Sequence, residues 1–269
     1  MLAFRNRLMR NVSARILRPT LPITVAKKPL SYSKPQNQEI GEEYTATSTI
    51  TRLSGPGPGP GRAMKARKIK RFDDSVAKVS RPAPFWEAKA VFENQISSLS
   101  LSNFESKFLV MIFYPLDFTF VCPTELTAFS DRIKEFKEIN TEVIGISCDS
   151  EHTHYNWNKV PRNRGGLGNL KYPLISDFSK RISEDYGVLC EDKSFPFRGT
   201  IIIDDKGIIR VINIGDTQIG RSVDEVLRLV QAIQFANQYG EVCPANWKKG
   251  DSTIIPDQEK AQSYFSQLK

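Results

Sequence analysis

Regular alternation of apolar and polar positions starts only near Arg81. Lys107-Phe-Leu-Val-Met-Ile-Phe-Tyr114 is an unbroken apolar run closed by Pro115, the pattern of a strand buried on both faces. Leu126, Phe129, Ile133 and Phe136 recur at helical spacing and predict a helix from about Pro123 to Ile139. Thr141–Ser147 reads as a second strand. Helices are predicted from Glu151 to about Val160 and from Ser179 to Tyr186, the latter stopped by Gly187. Gly199–Ile203 and Gly207–Ile214 form a hairpin across Asp204–Gly207. The last clear helix starts at Ser222, where Ser222-x-x-Glu225 reads as a capping box. Val223, Val226, Leu227, Val230 and Ile233 supply its apolar face. Strand–helix–strand implies a parallel pair with a right-handed crossover, and the late hairpin an antiparallel addition. The class is therefore α/β, with a mixed central sheet flanked by helices. Residues 241–269 form a polar, turn-rich, extended C-terminal tail ending in an amphipathic segment.

Charge divides the chain differently. The net charge is +8, yet residues 1–38 alone hold eight Lys/Arg and no acid, while residues 81–269 hold 22 basic and 25 acidic residues. The folded part is thus mildly acidic and has no basic stripe that would track phosphates, so nucleic acid is not expected as a partner. Over residues 1–33, Arg5, Arg7, Arg10, Arg15 and Arg18 interleave with apolar side chains and with Ser13, Ser31 and Ser33. This is the composition of an organellar import segment, mitochondrial (matrix) or plastid-type, with the cytoplasm as the alternative location. A secretory signal needs a continuous apolar core of roughly 7–15 residues, which is missing. Residues 34–80 read as a linker: Ser54-Gly-Pro-Gly-Pro-Gly-Pro-Gly61 opposes regular structure, and the basic run 62–71 after it reads as solvated linker before it reads as a ligand site. The remaining chain then divides into a domain over 81–240 and the tail over 241–269. No run of about 18 apolar residues occurs, so no membrane span is expected.

Four cysteines without a C-x-x-C pair argue against a disulfide scaffold or a zinc ribbon, and neither a metal nor a cofactor is expected. Cys122 is the main candidate for chemistry. It follows a buried strand and a short loop and opens a helix with Pro123 at an early position, where free backbone N–H groups and the helix dipole favour thiolate over thiol. A hydrolytic cysteine needs a base, but His152 and His154 alternate on one helix and read as one exposed and one packed residue. Redox chemistry needs a second thiol instead. Cys243, between Val242 and Pro244 in the tail, is reachable by another sulfur if the tail moves, whereas Cys148 and Cys190 read as structural thiols.

Phe113-Tyr-Pro-Leu-Asp-Phe-Thr-Phe-Val-Cys-Pro-Thr-Glu125 resembles the peroxidatic signature of the typical 2-Cys peroxiredoxins, and Gly240-Glu-Val-Cys-Pro-Ala-Asn-Trp247 their resolving-cysteine motif. The two cysteines stand 121 residues apart, in the family's order and spacing, and the resemblance runs from about Arg81 to Lys269. It implies a thioredoxin-like fold and a thiol-dependent peroxidase acting on hydrogen peroxide and organic hydroperoxides. Cys122 is then the peroxidatic thiolate and Cys243 the resolving thiol, supplied by the other subunit of an antiparallel dimer. The resemblance makes Thr119 a hydrogen-bond donor to thiolate and peroxide, Pro115 a shield against water, and Arg198 the donor from the adjacent strand. Glu125 and Arg221 hold Arg198 in place. It also implies recycling by thioredoxin, dimers paired through strand Ile208–Ile214, and rings of five or six dimers, a decamer or dodecamer.

Two further motifs carry an expectation about over-oxidation. Gly165-Gly166-Leu167-Gly168 and Tyr264-Phe265 match a loop and a C-terminal helix that pack over the site in the family and slow resolution. They imply that Cys122 passes readily to the sulfinic acid, reversible by sulfiredoxin. The family also supports a different role, a ring-forming holdase chaperone or redox-signalling relay. Asn169-Leu-Lys-Tyr172 and Cys148 depart from sequences common among animal members.

Overall fold

The computed structural model describes residues 76–192 and 194–268. The import segment expected over 1–33 and residues 34–75 of the linker expected over 34–80 lie outside the described residues. Residues 76–80 are already held by the fold: Ala77 is buried and its N–H donates to the Asp185 carbonyl at 2.7 Å.

Among the described residues seven strands make one mixed sheet: β1 (Glu87–Phe92), β2 (Gln95–Ser100), β3 (Phe108–Phe113), β4 (Thr141–Ser147), β5 (Leu174–Ser176), β6 (Arg198–Ile203) and β7 (Ile209–Gly215). The spatial order is β2-β1-β5-β4-β3-β6-β7. Six helices accompany them: α1 (Val121–Asp131), α2 (Ile133–Glu138), α3 (Glu151–Lys159), α4 (Arg181–Asp185), α5 (Val223–Tyr239) and α6 (Gln262–Phe265). β3 and β4 pair in parallel, as strand–helix–strand predicted, and β6–β7 is the antiparallel hairpin. β7 closes one edge of the sheet.

The apolar run in β3 explains why the sheet is covered on both faces. Its side chains alternate in direction, and all six residues are buried. Phe108, Val110 and Ile112 join a core with Leu126 and Phe129 of α1, Phe136 of α2, Trp157 of α3 and Leu227 of α5. Leu109, Met111 and Phe113 join a second core with Trp86, Ile182, Tyr186 and Val188.

Five details add to or differ from the sequence reading. The helix predicted as one piece over 123–139 starts at Val121 and breaks at Arg132, whose φ of −102° and ψ of 12° separate α1 from α2. The apolar spacing continues across that break, so periodicity did not register it. The capping box is half formed: Ser222 accepts from the Glu225 N–H, but the Glu225 carboxylate turns outward to Arg228. Strands β1 and β2 were not anticipated because Gln-Ile-Ser-Ser-Leu-Ser in β2 is mostly polar and lies exposed at the other sheet edge. β5 has only three residues, too few for a pattern. The tail is tied to α5 rather than hanging free. Trp247 is buried against Phe235, and Val242 bridges to Ile254.

Candidate active site

β3 ends at Phe113, and the chain crosses buried Pro115 and an exposed loop before α1 begins. Cys122 falls in the first turn of α1, where backbone N–H groups lack intrahelical partners. Its side chain is 1% exposed. Arg198, the first residue of β6, comes from the strand beside β3, which runs in the opposite direction. Its Nη1 donates to Cys122 Sγ at 3.5 Å and to Glu125 Oε2 at 2.6 Å.

The guanidinium is held rigidly. Arg198 Nε and Nη2 both donate to the Thr217 carbonyl, at 2.9 and 2.5 Å. Glu125, one turn after Cys122, is buried and bridges two arginines. Its Oε1 accepts from Arg221 Nε and from the Arg221 backbone N–H, each at 2.8 Å, and Arg221 Nη2 reaches Oε2 at 3.1 Å. Arg221 Nη1 donates to the Phe113 and Gly199 carbonyls at the ends of β3 and β6. Burying charges is costly unless each finds partners, and here the carboxylate oxygens accept four bonds. The cluster therefore locks α1, β3 and β6 together around Cys122. It leaves one fixed cation facing the sulfur, where negative charge on sulfur or on an attached oxygen is stabilised. Thr217 escaped the sequence reading because it acts through its backbone carbonyl, which any residue carries.

The Thr119 hydroxyl engages a partner other than the expected one. Its hydroxyl donates to the Leu116 carbonyl at 2.8 Å, and no hydrogen bond joins it to Cys122 among the described residues. That bond spends its proton on closing the loop and leaves its oxygen as an acceptor. Beneath the loop lies a buried network that the sequence did not reveal. Asp117 accepts from the Tyr114 hydroxyl at 2.8 Å and from His154 Nδ1 at 2.8 Å, while His154 Nε2 donates to the Ile175 carbonyl at 3.1 Å. Burial opposes the imidazolium, but Asp117 beside it outweighs this and holds the His154 pKa above its ordinary value. His154 is the packed histidine and His152 the exposed one, as read from the sequence. Among the described residues no group of three or more His, Cys, Asp or Glu could hold a metal ion.

The remaining candidates lie apart from this cluster. Gly165–Gly168 folds back on α3: Trp157 Nε1 donates to the Gly165 carbonyl at 2.9 Å, and Leu167 is fully buried. A Cβ on Gly166 would lie 2.1 Å from the Val160 carbonyl oxygen, so only glycine fits there. Tyr264 and Phe265 stack edge-on in α6, and no hydrogen bond or ring contact joins them to the Gly165–Gly168 loop among the described residues. Cys243 Sγ rests 3.6 Å from the Ala232 carbonyl of α5. Burial pushes its thiol up, against the opposing charge of Arg228. Burial likewise pushes Cys148 up to about 11, with Asp177 adding to it. All four cysteines are free.

Residues 79–212 match the AhpC/TSA family, and residues 232–267 match the C-terminal domain of 1-Cys peroxiredoxin. Peroxiredoxin-4 of Homo sapiens is 55% identical over 194 residues, covering 72% of each chain. The chain belongs to the peroxiredoxins. The mitochondrial thioredoxin-dependent peroxide reductase of Drosophila melanogaster is 53% identical, over 71% of this chain and 83% of that one. The reduced 2-Cys peroxiredoxin of Plasmodium vivax superposes with a TM-score of 0.68 at 45% identity, covering 70% of this chain and 98% of that one. The mixed sheet is accordingly the thioredoxin-like peroxiredoxin fold, and this peroxiredoxin is a thiol peroxidase, an oxidoreductase.

Proposed function

We propose that this peroxiredoxin reduces hydroperoxides through Cys122 and recovers through Cys243 of a second copy and thioredoxin. The observation that carries the reading is the Arg198 Nη1 contact to Cys122 Sγ at 3.5 Å, in a guanidinium fixed by Thr217 and Glu125. The Cys122 thiolate attacks one peroxide oxygen. The O–O bond breaks, the far oxygen leaves as hydroxide or alkoxide, and Cys122 becomes a sulfenic acid. Charge spread over sulfur and both oxygens is met by a cation that needs no reorganisation. Pro115 closes the site from water, and Thr119 receives or donates a hydrogen bond once its loop admits peroxide.

Cys243 then attacks the sulfenic sulfur. An S–S bond forms, the S–O bond breaks, and the oxygen leaves as water with the thiol's proton. The reductant thioredoxin is supported by the name of the Drosophila melanogaster relative. Self-association is supported by β7 at a sheet edge with exposed Ile214, and by exposed Leu116, Phe118 and Phe120 on the loop before Cys122. Dimers joined along β7 and assembled into a ring follow from that reading. Over-oxidation to the sulfinic acid, slowed resolution through Gly165–Gly168 and Tyr264–Phe265, and repair by sulfiredoxin belong to the same proposal. The acid-free N-terminal segment with its eight basic residues supports import into the mitochondrial matrix.

Replacing the sulfur tests the whole reading. Cys122→Ser retains the fold and loses peroxide turnover with a thioredoxin system. Turnover at the rate of the unaltered protein would overturn it.

A further inference from the structure

Cys122 is 1% exposed and in a helix, while Cys243 lies on α5 with no contact to it among the described residues. A disulfide needs the two sulfurs about 2.05 Å apart. α1 must therefore open before any second thiol reaches Cys122, and whatever holds α1 shut competes with resolution. Glu125 anchors the α1 face toward Arg198 and Arg221. A different set of bonds, from residues 162–172, holds its opposite end.

Tyr172 is buried, and its hydroxyl donates to the Leu126 carbonyl at 2.9 Å, one residue beyond Glu125. The Lys171 N–H donates to Ser130 Oγ at 3.0 Å. Arg162 grips Asp131, the last residue of α1, through two bonds of 2.9 Å, and its Nε donates to the Leu167 carbonyl. The Arg162 side chain crosses directly over Gly168, where a Cβ would meet it at 3.0 Å. Three contacts thus staple α1 to one segment that, among the described residues, makes no hydrogen bond to Cys122, Glu125, Arg198 or Arg221.

We infer that Tyr172, assisted by Arg162, is a positioning residue that sets how often α1 opens, and so divides the Cys122 sulfenic acid between disulfide and sulfinic acid. The inference rests on the reading of Cys122 as the oxidised thiol. In the closed helix a second hydroperoxide adds one oxygen to sulfur, its O–O bond breaking and its remainder leaving as water or alcohol. In the open helix Cys243 adds instead. Each bond present only in the closed state shifts the division toward the sulfinic acid. Burial pushes the Tyr172 pKa well above its ordinary value, so the hydroxyl keeps its proton and remains a donor at every physiological pH.

Tyr172→Phe keeps the ring and removes the bond. A neutral hydrogen bond of typical net strength corresponds to a roughly two- to tenfold change in the opening equilibrium. The experiment follows Cys122 by mass spectrometry through a hydroperoxide titration of the full chain, scoring sulfenic, disulfide and sulfinic forms. Tyr172→Phe is expected to leave the first oxidation rate unchanged, to speed disulfide formation roughly two- to tenfold, and to raise the peroxide giving half-maximal sulfinic acid by a similar factor. Tyr186→Phe is the matched control. It also removes a hydroxyl donating to a backbone carbonyl, that of Pro84, but on the opposite face of the sheet. It should lower thermal stability without moving the division. Arg162→Gln, at a side chain 41% exposed, is a second variant that the fold tolerates, with the same direction and a smaller effect. An unchanged division in both Tyr172→Phe and Arg162→Gln, or an equal shift in Tyr186→Phe, overturns the positioning role. No oxidation of Cys122 in any variant would instead defeat the functional reading on which it rests.

Discussion

Arg198 is the residue whose geometry the chemistry depends on most. Its three nitrogens are all committed, two to the Thr217 carbonyl and the third shared between Glu125 and Cys122. A lysine at this position is a point charge on a flexible stem and cannot occupy both sides of that arrangement. Arg198→Lys is therefore expected to slow oxidation of Cys122 by more than tenfold, about 1.4 kcal/mol of transition-state stabilisation. Stopped-flow measurement of the first oxidation checks this, and a rate within twofold of the unaltered protein would contradict the role. At this scale the sequence named Cys122 and Glu125 through a long motif, and Arg198 and Arg221 through the family resemblance that the motif carries. It could not reveal Thr217, which contributes a carbonyl, or Asp117 and Tyr114, whose pairing with His154 depends on three separate elements meeting in the core. Thr119 shows the opposite limit: its position was legible, but the direction of its hydroxyl was not.

Among elements, the tail and α5 form the pair whose separation matters. Burial raises the Cys243 thiol above its ordinary value. The docked state thus favours the protonated thiol. Its contribution is fully present below the ordinary thiol pKa of about 8.5 and is lost as pH rises through the higher value of the docked state. Trp247 reports on docking because it is buried beside Phe235, with Nε1 donating to the Asp251 carbonyl at 3.1 Å. Its emission is expected to shift to the red as pH rises from 8 toward 10, and to do so less in Cys243→Ser. The same titration curve in both proteins would show that the thiol does not control docking. β3, β4 and β6 were legible as short apolar runs buried on both faces, and α5 by the apolar face that burial on one side imposes. β1, β2 and β5 were not, because an exposed edge strand and a three-residue strand impose almost no pattern.

On the scale of the whole molecule, the proposed cycle draws on two copies of the chain. Cys122 and Cys243 are held on different elements, and among the described residues no hydrogen bond joins them and no hydrogen bond or ring contact joins Tyr264 and Phe265 to the Gly165–Gly168 loop. Both facts are accounted for if a second copy brings its tail to this site, with β7 as the shared edge. Isolated periodicity could not show this, since an assembly leaves no period of its own in a sequence. The family resemblance implied it instead. The central claim is that Cys122 takes the peroxide oxygen and that Cys243 of another copy removes it. Peptide mapping by mass spectrometry after one equivalent of hydrogen peroxide tests it most directly. The unaltered protein should yield a Cys122–Cys243 disulfide that runs as a dimer on non-reducing gels, and Cys243→Ser should yield monomers carrying a dimedone adduct on Cys122. An adduct on Cys148 or Cys190, or a dimer band that persists in Cys243→Ser, would contradict it.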